Sequence, residues 1–163
     1  MDEVDRILQA WSVETPELDV RPLRVLSRVT RLARHLDFAR RDAFAVHGLD
    51  GWEFDVLAAL RREGPPYELS PGQLIQQTLS TSGTMTNRID RLVGRGLVQR
   101  LPDPRDRRGV RVRLLEPGKA AVEGALADLL DRERQILAGL TSVEEDTVAD
   151  LLRRLVSPFE SGD

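Results

Sequence analysis

The chain has no cysteine, and Lys119 is its single lysine among 163 residues. Without cysteine there are no disulfides, no thiolate metal sites and no thiol redox sensing. Without further lysine, positive charge rests almost entirely on arginine. No apolar run approaches the roughly 20 residues that a membrane helix needs. The N-terminus, M-D-E-V-D-R-I-L-Q-A-W, is acidic and amphipathic, unlike a signal peptide. A cytoplasmic protein with no membrane partner is expected. Histidine is scarce too: His35 and His47 both fall in one long helical segment. No histidine–carboxylate cluster has metal-ligand spacing. No nucleophile–base set or glycine-rich phosphate loop occurs, and G-L-D-G-W and G-R-G read as turn and cap signals. Nothing implies a catalytic residue, a metal or a cofactor, so an enzyme is not expected.

The formal net charge is −3, but its distribution is uneven. Residues 86–113 hold nine arginines (88, 91, 95, 100, 105, 107, 108, 111 and 113) against three aspartates (90, 103 and 106). The local charge is +6, which leaves −9 for the remainder. Such a field draws phosphates to one face and repels them elsewhere.

Hydrophobic periodicity divides the chain into helices with one small β unit. A short amphipathic helix over 2–13 carries Val4, Ile7, Leu8 and Trp11 on one side. A long helix over 23–47 places Leu26, Val29, Ala33, Leu36 and Ala43 at three- and four-residue steps, with Gly48 as its C-cap. The next helix, 52–63, carries Trp52, Val56, Leu57 and Leu60 and stops at Gly64-Pro65-Pro66. Residues 67–69 suit a very short strand. Ser70-Pro71 is a helix start, with a hydroxyl cap followed by proline in the first turn. Ser80, Thr81 or Ser82 caps another helix running to about Arg95, and Gly96 ends it in the left-handed region. Alternation over 97–101 and 110–115 predicts two antiparallel strands joined by a loop over 102–109. A long helix over 117–138 and a last one opened by the capping box Thr141-Ser142-Val143-Glu144 complete the chain.

A helix, a turn and a second helix followed by a hairpin is the layout of a winged helix-turn-helix. The expected fold class is mainly α with a small β-wing, a winged helix-turn-helix flanked by dimerisation helices. The expected division is an N-terminal helical region (1–48), a DNA-binding module (49–116) and C-terminal helices (117–163). The terminal helices have more apolar surface than one module covers, so packing against a second copy is expected.

A helical wheel at about 100° per residue puts Met85, Ile89, Leu92, Val93 and Gly96 in one inward stripe. Gly83, Asn87, Asp90, Arg91 and Gly94 fall opposite. Asn87 and Arg91 are therefore the candidate groove readers, asparagine suiting adenine and arginine suiting guanine. Ser82 and Thr84 lie where a helix N-terminus meets phosphate. Arg88 falls on the shoulder of the buried stripe, turned toward its own subunit, where a half-buried guanidinium needs a carboxylate or an anion. Arg105, Arg107 and Arg108 crowd the wing tip, from which a side chain enters a narrow minor groove. Asp103 and Asp106 read as residues that orient these arginines.

The stretch L-x-x-x-G-L-V-Q-R-L-P-D-P-R-D-R-R, with the following V-R-L-L-E-P-G-K-A, resembles the MarR family of bacterial regulators, and the likeness extends over nearly the whole chain. It implies a homodimer with a winged helix in each subunit, terminal helices at the dimer interface, and repression relieved by a small ligand. The extra N-terminal helix and four residues are similar to the urate-responsive branch, the UrtR type, which overlaps with PecS regulators. These residues are Trp11, Asp55 in G-W-E-F-D-V-L, Arg88 in T-N-R-I-D-R-L and Arg100 in G-L-V-Q-R. That likeness implies urate or a related anionic purine as ligand. It implies purine or oxidative-stress genes, or virulence or efflux genes, as targets. The alternatives remain open at this level: Asp55 and Arg88 as a structural ion pair, Trp11 as interface packing, another anion or a phenolic compound as effector, or a ligand-independent DNA-binding protein.

Overall fold

The computed structural model describes residues 1–160, with the side chains of Arg107 and Arg108 outside that description. Residues 161–163, the end of the expected C-terminal region, also lie outside it. Seven helices and three strands follow in the order α1 (Glu3–Glu14), α2 (Leu23–Val46), α3 (Gly51–Arg62), β1 (Glu68–Leu69), α4 (Pro71–Thr78), α5 (Ser82–Gly94), β2 (Val98–Asp103), β3 (Asp106–Leu114), α6 (Glu116–Leu137) and α7 (Ser142–Glu160).

The termini of these helices follow from side-chain chemistry. Ser70 Oγ accepts from the Gln73 N–H, and Gln73 Oε1 accepts from the Ser70 N–H, a reciprocal cap that starts α4. Among the three candidates for the start of α5, Thr81 is the cap: its hydroxyl accepts from the Thr84 N–H at 3.4 Å. Thr141 and Glu144 form the expected capping box of α7. Gly96 takes φ +69° just beyond α5, a left-handed conformation that a side chain would strain. At Gly118 the reason is space. A Cβ there would lie 2.3 Å from the Leu97 carbonyl oxygen, so only glycine lets α6 pack this closely on the wing.

The core gathers around α3. Val56, Leu57, Ala59 and Leu60 are fully buried and meet Phe44 of α2, Leu74 of α4, and Met85, Ile89 and Leu92 of α5. Val98 and Val112 of the sheet, with Val122, Ala125 and Leu129 of α6, close the cluster. Each of the larger side chains contributes roughly 1.5–3 kcal/mol of burial free energy. Phe44 and Phe54 stack with centroids 4.0 Å apart. The three strands form one antiparallel sheet in the order β1-β3-β2.

The structure corrects the wing. The loop expected over 102–109 is mostly strand, and the turn shrinks to Pro104-Arg105. Asp103 pairs with Asp106, while Pro102 pairs with Val110, so β3 bulges by the extra residues 107–109. Prolines and charges hid this extension, because they break the alternation that marks a strand. Val93, assigned to the inward stripe of α5, is instead 38% exposed near the helix end. The apolar stripe of α2 is also unburied within one chain: Leu26 and Val29 are exposed, and only Ala43 of the expected set is buried.

An arginine clamp holds α1 on α2. Arg28 donates to both Asp2 oxygens at 2.9 and 3.0 Å and to Asp5 at 2.6 Å, while Val4 is buried beneath. Asp2 and Asp5 accept from each other's backbone N–H, and that bond, reinforced by Arg28, lowers both carboxyl pKa values. A depressed folded-state pKa stabilises above the unfolded value, about 3.9 for aspartate, and the effect is lost as pH falls through it. Protection of the α1 amides, relative to the intrinsic exchange rate at each pH, is therefore expected to fall below about pH 4, and at neutral pH in Arg28→Ala, with α3 unchanged. Hydrogen-exchange mass spectrometry checks this; equal α1 protection in the variant contradicts the clamp.

Candidate nucleic-acid interface and effector cleft

The inward face of α5 buries Met85, Ile89 and Leu92, which leaves Gly83, Asn87, Asp90, Arg91 and Gly94 exposed on the opposite face. Ser82 and Thr84 lie exposed in its first turn. The Thr84 hydroxyl accepts from that of Thr81 at 2.9 Å. The preceding turn carries Leu79 at φ +49°, almost wholly exposed.

The arginines of the basic window divide by partner. Arg95 pairs with Glu53, donating to both carboxylate oxygens at 2.6 Å, and with the Gly48 carbonyl at 2.9 Å. Arg100 pairs with Asp90, Arg111 with Asp103, and Arg113 with Glu68. Asp103 also accepts from the Arg105 backbone N–H, which fixes the wing turn. Arg88, Arg91 and Arg105 have no carboxylate partner among the described residues. These three cations stand on α5 and at the wing tip.

Arg88 is half-buried, as its wheel position predicts. It donates to Ser80 Oγ at 3.1 Å, and its guanidinium carbon lies 5.5 Å from the centroid of Trp52. Arg91 lies 4.9 Å from the same ring. Trp52, Thr84, Asn87, Arg88 and Arg91 line an open cleft of about 270 Å³. Sequence reasoning placed Trp52 among the apolar contacts of α3 and missed this role. Only the packing of α3 on α5 brings the ring beneath the two arginines.

The four residues singled out as an effector set lie on four elements, and no two of them form an ion pair or hydrogen bond with each other. Asp55 is not a lone acid: it accepts from Arg40 at 3.3 Å. Its structural ion-pair partner is thus Arg40, not Arg88. Asp55 lines two clefts, one with Arg40 and Arg41 and another with Arg62, Gln77 and Leu79. Arg100 of β2 reaches back to α5 through Asp90. Trp11 is 49% exposed on α1. Among the described residues no group of histidines and carboxylates could hold a metal ion, and no helix is long and apolar enough to cross a membrane.

A capped helix-turn-helix on a buried α3, with an antiparallel hairpin against it and, among the described residues, arginines without a carboxylate partner on both, defines a winged-helix DNA-binding regulator. The MarR family model matches residues 47–109. The chain is 36% identical over 153 residues to the HTH-type transcriptional regulator PecS of Dickeya dadantii, a match that covers 94% of this chain and 92% of that protein. It belongs to the MarR family. A mutant of Escherichia coli MarR complexed with operator DNA superposes with a TM-score of 0.69 at 27% identity, over 85% of this chain and 99% of that one. Bordetella bronchiseptica BpsR, whose DNA binding is regulated by 6-hydroxynicotinic acid, superposes with a TM-score of 0.60 at 29% identity, over 78% and 98%. These relatives are transcriptional regulators, not enzymes.

Proposed function

We propose that this protein is a repressor that binds a pseudopalindromic operator as a homodimer and is released by a small planar anion, urate or a related purine. In this reading residues 49–116 form the DNA-binding module, and 1–48 with 117–163 form the dimer. Asn87 and Arg91 read bases, Ser82 and Thr84 meet phosphate, and Arg105, Arg107 and Arg108 track the flanking groove. Trp11, Asp55, Arg88 and Arg100 serve the effector.

The observation that carries the effector reading is Arg88, a half-buried guanidinium with a hydroxyl and an indole for company and no carboxylate. Such a cation suits a flat anion, which wants charged forks and an apolar surface. Arg100 is held by Asp90, on the same helix as Arg88. An anion that recruits both arginines draws Arg100 from Asp90 and so shifts the wing against α5. A ligand achieves this only by its differential affinity for the two shapes, typically ~1–3 kcal/mol. Asp55 is already held by Arg40 and does not neutralise Arg88 directly.

The homodimer reading draws support from α7, which buries none of its residues within the chain. Leu151, Leu152 and Leu155 stay exposed there, as do Val25, Leu26 and Leu32 of α2. Apolar faces this continuous mark an interface. A second effector reading, an aromatic acid, is favoured by a cavity of about 320 Å³ between α2, α3 and α6. Phe54, Ala58, Val122 and Leu129 line it beside Arg61 and Arg62. BpsR, with its hydroxynicotinic acid, offers a parallel.

Sedimentation with footprinted promoter DNA tests the assembly. Two chains per site and protection of two half-sites about 34 Å apart are expected. A monomer at micromolar concentration, or binding without sequence preference, contradicts it. A thermal-shift panel of purines against aromatic acids separates the two effector readings.

A further inference from the structure

The Trp52 ring is shared by two cations of different assignment. Arg88 is the centre of the effector reading, and Arg91 is a base reader. They stand three residues apart on α5, on neighbouring turns, where like charges repel. Neither has a carboxylate to offset that repulsion among the described residues. Both guanidinium carbons lie within 6 Å of the Trp52 centroid, at 5.5 and 4.9 Å, the range in which an indole face attracts a cation. The ring itself is well anchored. Trp52 occupies the first turn of α3, behind a capping box in which the Asp50 N–H donates to Glu53 at 2.9 Å. Beyond it, Phe54, Val56 and Leu57 fix the helix in the core. The platform is packed against the core, while the two arginines it holds are long side chains with many rotamers.

We propose that Trp52 is a positioning residue that couples the effector arginine to the DNA-reading arginine, because one indole sets the place of both guanidinium groups. While Arg88 rests on the ring, Arg91 shares it at 4.9 Å, in the cleft that Asn87 and Thr84 also line. An anion that draws Arg88 off the indole vacates ring surface and removes a like charge. Arg91 is then held more closely on the ring, which restrains its reach to the bases. Effector binding thus alters base reading within one subunit, in addition to any movement of the wing. The inference rests on the effector reading of Arg88 for its ligand arm, but the coupling of the two arginines through the ring is testable without any ligand.

The test is a set of operator affinities at fixed salt for the native protein, Arg88→Ala, Arg91→Ala and the double variant, each repeated in the Trp52→Leu background. With the indole present, Arg88→Ala is expected to change the effect of Arg91→Ala by about threefold or more. In the Trp52→Leu background the two effects should multiply within about 1.5-fold, because only direct repulsion through solvent remains. Trp52→Phe, which keeps a flat ring with a weaker quadrupole, should give an intermediate factor. It decides the matter if Trp52→Leu melts too early to measure. The same interaction factor in all backgrounds, or simple multiplication with the indole present, overturns the proposal. In a second arm, urate is titrated by calorimetry and into the operator complex. Trp52→Leu should lose at least about fivefold of urate's effect on operator affinity, compared at urate concentrations that calorimetry shows to saturate each protein. Undiminished release in Trp52→Leu also overturns the proposal. If the native protein binds no urate, the effector reading fails on its own and the affinity cycle alone decides the role of Trp52.

Discussion

Replacing Arg91 with alanine is expected to lower operator affinity by about 1–3 kcal/mol, roughly 5- to 150-fold, and to relax discrimination at one base position. The melting temperature should stay within about 4 °C, because Arg91 is exposed and its stacking on Trp52 is worth only ~0.5–1 kcal/mol at a wet site. The exposed face it shares with Asn87 lies opposite the buried Met85, Ile89 and Leu92, so truncation leaves the core untouched. Arg105→Ala is the contrast. A wing arginine on the backbone or in the minor groove should weaken all sequences alike and reduce the salt dependence by about one counterion. Fluorescence anisotropy on operator and scrambled duplexes separates the two. Unchanged operator affinity in Arg91→Ala removes that residue from the interface.

Arg95→Ala should do the reverse. Arg95 sits in the same basic window, yet it is the counterion of Glu53, which is 2% exposed. Removing the partner strands a buried carboxylate that also caps α3, at a cost of about 3 kcal/mol. That figure is the low end for buried pairs, since the Arg95 side chain is itself 42% exposed and water reaches it. For a chain of this size the melting temperature should fall by roughly 6–12 °C. The protein still folded below that temperature should bind operator within about threefold of the native affinity, once its small loss of net charge is allowed for. A melting temperature within about 2 °C of native contradicts the structural role of Arg95.

These two arginines show what the sequence could and could not reveal. The periodicity of α5 assigned Arg91 outward and Arg88 to the shoulder, and both readings follow from the 3.6-residue repeat alone. The helix order, the caps at Ser70 and Thr141 and the glycine stop at Gly96 were legible for the same reason: each rests on contacts within four residues. The partners of Arg95, Arg100 and Asp55 were not legible. Glu53, Asp90 and Arg40 lie 42, 10 and 15 residues away in sequence, and nothing local marks one charge as another's counterion. Counting nine arginines as one DNA-facing field therefore overstated it, since among the described side chains four are paired with carboxylates of the fold. Trp52 was hidden in the same way. An aromatic in an apolar helix reads as core until the neighbouring helix is in place. The long β-wing was missed because its proline and aspartates carry no strand signal, and the ladder with Val110 and Arg111 imposes extension on them.

Regulation turns on an anion that binds Arg88 and thereby weakens the hold on operator DNA. The most direct measurement is operator affinity across a urate titration, for the native protein and for Arg88→Ala. Release of the native protein by urate, with Arg88→Ala retaining its operator throughout, is the predicted result. Operator affinity that stays constant to millimolar urate, or equal release of both proteins, would contradict it.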